Sequence, residues 1–233
     1  ESEQFAIYGQ VDIEATDKLN VTAGLRYSKD EKLGYEEQRL VLYNPSLAPG
    51  MSFDVSLNGN GPVTRGGLEK DWNAVSGKLG FDYELGADSM IYGSISKGYK
   101  SGGMNLGGLE GYDPTQPSVA SATNTPFVEE ESVWAYEAGW KNSMLDNQLR
   151  LNLAAFYYDY EDMQAPINYR DSNDITLTDF VNIPEATSLG FEVEALWLVS
   201  DSLQLIANYS YLDTELSESL ILVDTALLVP EEV

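Results

Sequence analysis

TSLGFEVEALWLVSDSLQLIANYSYLD (187–213) alternates apolar and polar residues on either side of the short turn Ser200-Asp201-Ser202. Leu189, Phe191, Val193, Ala195 and Trp197 share one parity, and Glu192 and Glu194 take the other. After the turn, Leu203, Leu205, Ala207, Tyr209 and Tyr211 resume the apolar set. Successive side chains of a strand point to opposite faces, so a period of two on both sides of a short polar turn predicts a hairpin with one apolar and one polar face.

The same unit recurs along the chain. Eight strands are predicted near 4–15, 19–31, 72–83, 89–100, 132–142, 148–161, 187–199 and 203–213. Partners are joined by short turns at Thr16–Lys18, Glu84–Asp88, Ser143–Asn147 and Ser200–Ser202. Long polar connections follow at about 32–71, 101–131, 162–186 and after 213, and they take up all the prolines, leaving the strands free of them. Short turns at one end and long loops at the other are the sequence form of a transmembrane β-barrel.

Sorting the strands by parity separates the charges. Among the apolar positions, from Phe5, Ile7 and Val11 through Leu25, Leu79, Ile95, Tyr136 and Leu153 to Tyr211, Lys97 is the only charge. It lies near the loop end of its strand, where it can snorkel to the interface. The opposite parity holds Asp12, Glu14, Arg26, Lys78, Asp82, Glu137, Lys141, Arg150, Glu192 and Glu194. A Lys or Arg facing lipid at mid-membrane costs about 2–4 kcal/mol, which accounts for this segregation. Tyr27, Tyr99, Trp134, Tyr157, Tyr209 and Tyr211 mark the long-loop ends, and Tyr83, Trp140 and Trp197 the short-turn ends. Two aromatic belts around an aliphatic band are the interfacial girdles of a membrane barrel. A soluble sandwich also has an apolar inner face, but it has no need of aromatics at both strand ends.

Composition narrows the chemistry. The 233 residues include no Cys and no His, which excludes disulfides, thiolate metal sites and Ser-His or Cys-His catalysis within this chain; no enzyme activity, cofactor or metal site is expected. The net charge of −25 argues against nucleic acid as a partner. No apolar run is long enough for a transmembrane helix, a test that barrel strands escape. The chain starts at Glu1 almost directly on a strand and stops at Val233 in a loop, so residues 1–233 are expected to be one partial domain of a longer protein.

LNVTAGLRYSKDEK (19–32), IYGSISKGYKSGGMN (91–105), WAYEAGWKNSMLDNQLRLNLAAFYYDYEDMQ (134–164) and ATSLGFEVEALWLVSDSLQLIANYSYLDTE (186–215) together resemble the barrel of TonB-dependent outer-membrane receptors, the iron–siderophore branch in particular. The resemblance implies an all-β, antiparallel wall segment of about eight strands from a barrel of about 22. It implies a location in the bacterial outer membrane, with lipid around the wall. It further implies active import of a ferric siderophore or similar nutrient, energised by the TonB complex through an N-terminal region that this chain lacks, together with the plug and terminal strands. Glu137 in YEAGWK and Glu192 in GFEVE match inward acidic positions that, in this family, pair with plug arginines. Glu194 is a weaker match. The alternative is pairing along the wall with Arg26, Lys78, Lys141 or Arg150.

Substrate contacts are expected at the loop mouths, from Tyr99, Lys100, Tyr112, Tyr158, Tyr160, Met163, Tyr169 and Arg170. Aromatic faces and cations suit a flat anionic chelate, although girdle or loop packing is the better explanation of any one of them taken singly. SKGYKSGG (96–103) lacks the order of a phosphate loop, and its glycines suit a bend into the loop. Asp171, Asn173 and Asp174 have only part of a calcium-loop spacing. Two other functions remain open: a complete eight-stranded barrel with a structural or adhesive role, and a soluble carbohydrate-binding sandwich. Pairing of the first strand with the last would mark the small barrel, and two stacked sheets the sandwich.

Overall fold

The computed structural model describes residues 1–38, 40–43, 52–55, 63–105, 127–170 and 176–216. Twelve strands form in chain order: β1 (Ser2–Thr16), β2 (Leu19–Gln38), β3 (Leu40–Tyr43), β4 (Ser52–Val55), β5 (Val63–Gly86), β6 (Ser89–Lys100), β7 (Gly103–Met104), β8 (Phe127–Val128), β9 (Glu131–Met144), β10 (Leu149–Arg170), β11 (Thr176–Ser200) and β12 (Leu203–Leu216). Eight of them make one antiparallel sheet in the order β1-β2-β5-β6-β9-β10-β11-β12. The two small ladders β3–β4 and β7–β8 stand apart from it. β1 and β12 do not pair with each other, so the sheet is not a closed eight-stranded barrel, nor is it two stacked sheets.

The turns are built by the residues that the sequence places there. Thr16 Oγ1 accepts hydrogen bonds from the amides of Lys18 and Leu19 at 3.2 and 3.1 Å, closing the first hairpin. Between β9 and β10, Leu145, Asp146 and Asn147 all take positive φ near 50–65°. Asp and Asn tolerate that region, and the Gln148 amide closes the turn on the Leu145 carbonyl at 3.0 Å.

Register gives the sheet its slant. One row of partners runs Thr16–Leu19–Tyr83–Ile91–Trp140–Leu153–Val193–Tyr209. It starts at the first short turn and ends at Tyr209, six positions into β12 from Leu203. At about 3.3 Å of rise per residue and about 4.8 Å between strands, this stagger tilts the strands roughly 30° from the row normal, close to the slant of barrel walls.

The apolar parity is bare. Ile7, Leu25, Val75, Leu79 and Leu205 are each about half to two-thirds exposed. Buried apolar side chains among the described residues reduce to Trp72, Val128, Ile167, Ile183 and Ala186, all near the long-loop end. A water-soluble domain of this size buries a continuous core, whereas a wall in lipid leaves this face to the acyl chains.

Three expectations need correction. First, β2, β5, β10 and β11 run well past the predicted strand ends, so much of 162–186 is hairpin rather than loop. Second, the strands do contain prolines. Pro166 lies in β10 and Pro184 in β11. Pro166 faces Phe180, whose amide and carbonyl both bond Asn105 instead of β10. That makes Pro166–Phe180 a non-hydrogen-bonded pair, so the missing donor of Pro166 points to the edge that β9 has already left. Near Pro184, Asp162 takes a φ of 53° and its carbonyl accepts from the Asn182 side chain at 2.8 Å. Third, β6 pairs with β5 only as far as Lys97 and then follows β9 alone, which turns Tyr99 away from the apolar face.

On the polar face, the Tyr92 ring lies over Gly139, where a Cβ would come within 2.4 Å of it. An aromatic laid across a glycine gap restores cross-strand packing. In the complete receptor, Gly139→Val should lower barrel stability by about 1–3 kcal/mol. Gly86→Ala, at the short turn between β5 and β6 where no described atom lies within 4 Å of the new Cβ, should change it by less than about 0.5 kcal/mol. Urea midpoints of the heat-modifiable folded band measure both.

Candidate functional site

The long-loop end of the wall carries a strap. Ser101–Asn105 and residues 127–130, joined by the β7–β8 ladder, span from β2 and β5 to β10 and β11. On the first side, the Lys32 ammonium donates to the Gly102 carbonyl and Lys70 pairs with Glu129. Both ammonium groups also lie over the Trp72 ring, at 5.5 and 5.4 Å from its centroid. Phe127 meets the same indole edge-on at 6.5 Å. Trp72 is 2% exposed, and Gly102 is the residue that lets the strap lie on it. A Cβ at Gly102 would fall 2.2 Å from the indole nitrogen.

On the far side, amide side chains imitate a strand. Asn105 donates to the Phe180 carbonyl at 2.9 Å and accepts from its amide at 2.8 Å. Asn182 exchanges the same two bonds with Glu129, at 2.8 and 3.1 Å. Gln164 donates to the carbonyls of Ser101 and Glu129 at 3.0 and 2.8 Å, and its own amide reaches the Glu131 carboxylate at 2.8 Å. Each such pair satisfies backbone groups that would otherwise be left unpaired under the strap.

Beneath and beside the strap lies a cavity of about 560 Å³, lined by Asp30, Lys32, Lys100, Asn105, Gln164 and Phe180 among others. Tyr99 reaches it indirectly, donating to buried Asp30 at 3.3 Å. Lys100 is more than half exposed and lines the cavity, with Glu131 at 3.7 Å offsetting part of its charge. Two ammonium groups beside neutral amides and a carboxylate suit an anionic ligand with hydroxyl or carbonyl groups.

The residues predicted from sequence therefore divide. Lys100 lines the cavity, and Tyr99 stands behind it, bonded to the lining residue Asp30. Tyr158 and Tyr160 form a separate column with Phe156 on the polar face of β10, stacked at 5.1 Å and edge-on at 6.5 Å. Met163 is half-buried, between that column and Gln164. Tyr112 and the residues 171–174 lie outside the described residues, as do the side chains of Tyr169 and Arg170. Trp72, Lys32, Asn105, Gln164 and Asn182 were missed. A signal existed for Trp72 alone, an aromatic on the polar parity of its strand.

The inward charges do not pair along the wall. Among the described residues the ion pairs are Lys29–Glu31, Lys70–Glu129 and Lys100–Glu131. Glu137 instead accepts from the Tyr92 hydroxyl at 2.8 Å, with the Lys141 ammonium over the same ring at 5.2 Å. Glu194 accepts from Asn152 at 3.2 Å, and Arg26 donates to Ser28 at 2.9 Å. Glu192, Lys78 and Arg150 are exposed on this face. Among the described residues, no group of acidic side chains could hold a metal ion.

Residues 1–229 match the family model described as TonB dependent receptor-like, beta-barrel. The pesticin receptor of Yersinia pestis is 28% identical over 196 residues, 84% of this chain and 24% of that protein. The crystal structure of the ferric yersiniabactin uptake receptor FyuA from Yersinia pestis superposes with a TM-score of 0.63 at 21% identity, covering 92% of this chain and 27% of the other. That of the siderophore receptor PiuA from Acinetobacter baumannii gives 0.57 at 23%, covering 93% and 26%. The structural likeness at these identities establishes the fold, and the chain spans about a quarter of each of these proteins.

Replacing Gln164 by Leu removes both side-chain bonds to the strap. Amide exchange in 101–105 and 127–131 should then speed up by about tenfold or more, with the wall strands unchanged. Exchange mass spectrometry reads both regions in one experiment.

Proposed function

We propose, from the premise that this chain belongs to the TonB-dependent receptor-like β-barrel family, that it builds about a third of the wall of a receptor importing a ferric siderophore or similar anionic chelate. The wall sits in the bacterial outer membrane, with short turns toward the periplasm and the strap toward the outside. The plug, the remaining strands and the segment that contacts TonB belong to other parts of the longer protein. The role is transport rather than catalysis.

One observation carries this reading. Glu137, Glu192 and Glu194 line the polar face, yet none has an ion-pair partner among the described wall residues. A filled barrel interior would desolvate them, and an unpaired desolvated carboxylate is costly. An arginine-bearing plug relieves that cost, because a guanidinium meets a carboxylate through two parallel hydrogen bonds. Tyr92 already holds Glu137 in place for such a partner. A plug that moves can break these contacts and open the way past the aromatic column of Phe156, Tyr158 and Tyr160, whose rings suit a flat ligand. The cavity with Lys32 and Lys100 supplies the first charge attraction at the mouth.

In the complete receptor, Glu137→Lys should reduce uptake of the ferric chelate about tenfold or more, since breaking a buried charge pair costs several kcal/mol. Surface levels of the barrel should stay near wild type. Radiolabelled iron uptake alongside surface labelling separates the two, and normal uptake by the charge-reversed receptor removes the assigned role of Glu137.

A further inference from the structure

The apolar face of the wall holds a groove of about 720 Å³ across β1, β2, β5 and β6. Two register rows explain it. One runs Gly9–Leu25–Gly77–Lys97–Trp134, and the next Val11–Ala23–Leu79–Ile95–Tyr136. Gly9, Ala23 and Gly77 carry little or no side chain, so a channel lies between Leu25, Leu79 and Ile95. Its loop end is closed by Lys97, whose ammonium sits over the Trp134 ring at 5.4 Å from the centroid.

Lys97 is the one charge of this parity among the residues that line the groove, while Lys29, Glu31, Asp71 and Asp159 share the face outside it, in a chain of net charge −25. It belongs to none of the ion pairs among the described residues. A lysine facing lipid costs free energy unless its ammonium meets the interface or an anion there. The indole contact partly offsets that cost and leaves the rest of the ammonium open.

We propose that this groove is a specific site for a phosphorylated, multiply acylated glycolipid of the outer leaflet, with an acyl chain over Ala23 and Gly77 and a phosphate on Lys97. Charge complementarity selects this occupant: the cation lies at the outer end of the groove, where the phosphates of that leaflet lie. A zwitterionic phospholipid would gain less from Lys97, and a second copy of the wall would bury the lysine against another apolar face.

The test uses the complete receptor in mild detergent, with native mass spectrometry reading bound lipid. The probes are bis-phosphorylated hexa-acyl lipid A, its dephosphorylated form and phosphatidylethanolamine. Wild type should retain the phosphorylated lipid over the dephosphorylated one by about fivefold, the effect of one lysine near an anionic surface. Lys97→Gln should abolish that preference and Lys97→Arg should keep it. Ala23→Phe, which fills the groove and leaves Lys97 intact, should weaken retention of phosphorylated and dephosphorylated lipid A alike. A heat-modifiable folded band verifies each variant. Equal preference in wild type and Lys97→Gln, no preference in wild type, retention unaffected by Ala23→Phe, or a dimer that excludes lipid would each overturn the proposal.

Discussion

Hydrocarbon offers a peptide group no hydrogen-bond partner, and the architecture of this wall follows from that constraint. Through the apolar band, each inner strand is paired on both sides, β6 as far as Lys97. Pairing fixes the register, and the register carries the slant that brings Thr16 into line with Tyr209 seven strands away. Once strands are paired and slanted, side chains have only two directions. The apolar set faces lipid, and the ten ionisable residues of the polar set face the interior.

Beyond the band the constraint relaxes and the construction changes. β9 starts at Glu131, β12 ends at Leu216, and the tip of the β10–β11 hairpin continues without them. Here the free edges are met by side-chain amides. Asn105 and Asn182 each present an acceptor and a donor at nearly the spacing of a peptide group, and Gln164 bridges two carbonyls of the strap. Water can also reach this region, so Pro166 and Pro184 are tolerated in strands that would reject them at mid-membrane.

How much of this was legible follows the same boundary. Inside the band, Leu189 to Trp197 and Leu203 to Tyr211 advertise their faces, because lipid on one side and charge on the other enforce a period of two. The hairpin turns at Thr16 and at Asp146-Asn147 were readable for a local reason, the side-chain chemistry of Thr, Asp and Asn. Outside the band, both faces of β10 and β11 meet polar surroundings, so the period fades and the strands look like loop. Tyr99 was assigned by parity, and parity failed where β6 parts from β5. Asn105 and Gln164 gave no sign at all, since their role depends on partners 75 and 63 residues away in sequence. The acidic positions Glu137 and Glu192 were legible as inward charges, and the absence of wall ion pairs around them was not.

Trp72 has an optical consequence. Of the four tryptophans, Trp134 and Trp140 are half-buried and Trp197 is exposed, all on the apolar face, whereas Trp72 is sealed beneath Gly102 between two ammonium groups. Its indole nitrogen has no hydrogen-bond partner among the described groups. Of the four indoles of this chain, lifting the strap would admit water to that ring alone. The emission of a single indole thus becomes a gauge of the mouth, changing colour as the strap leaves it while the three girdle rings stay in lipid and keep theirs.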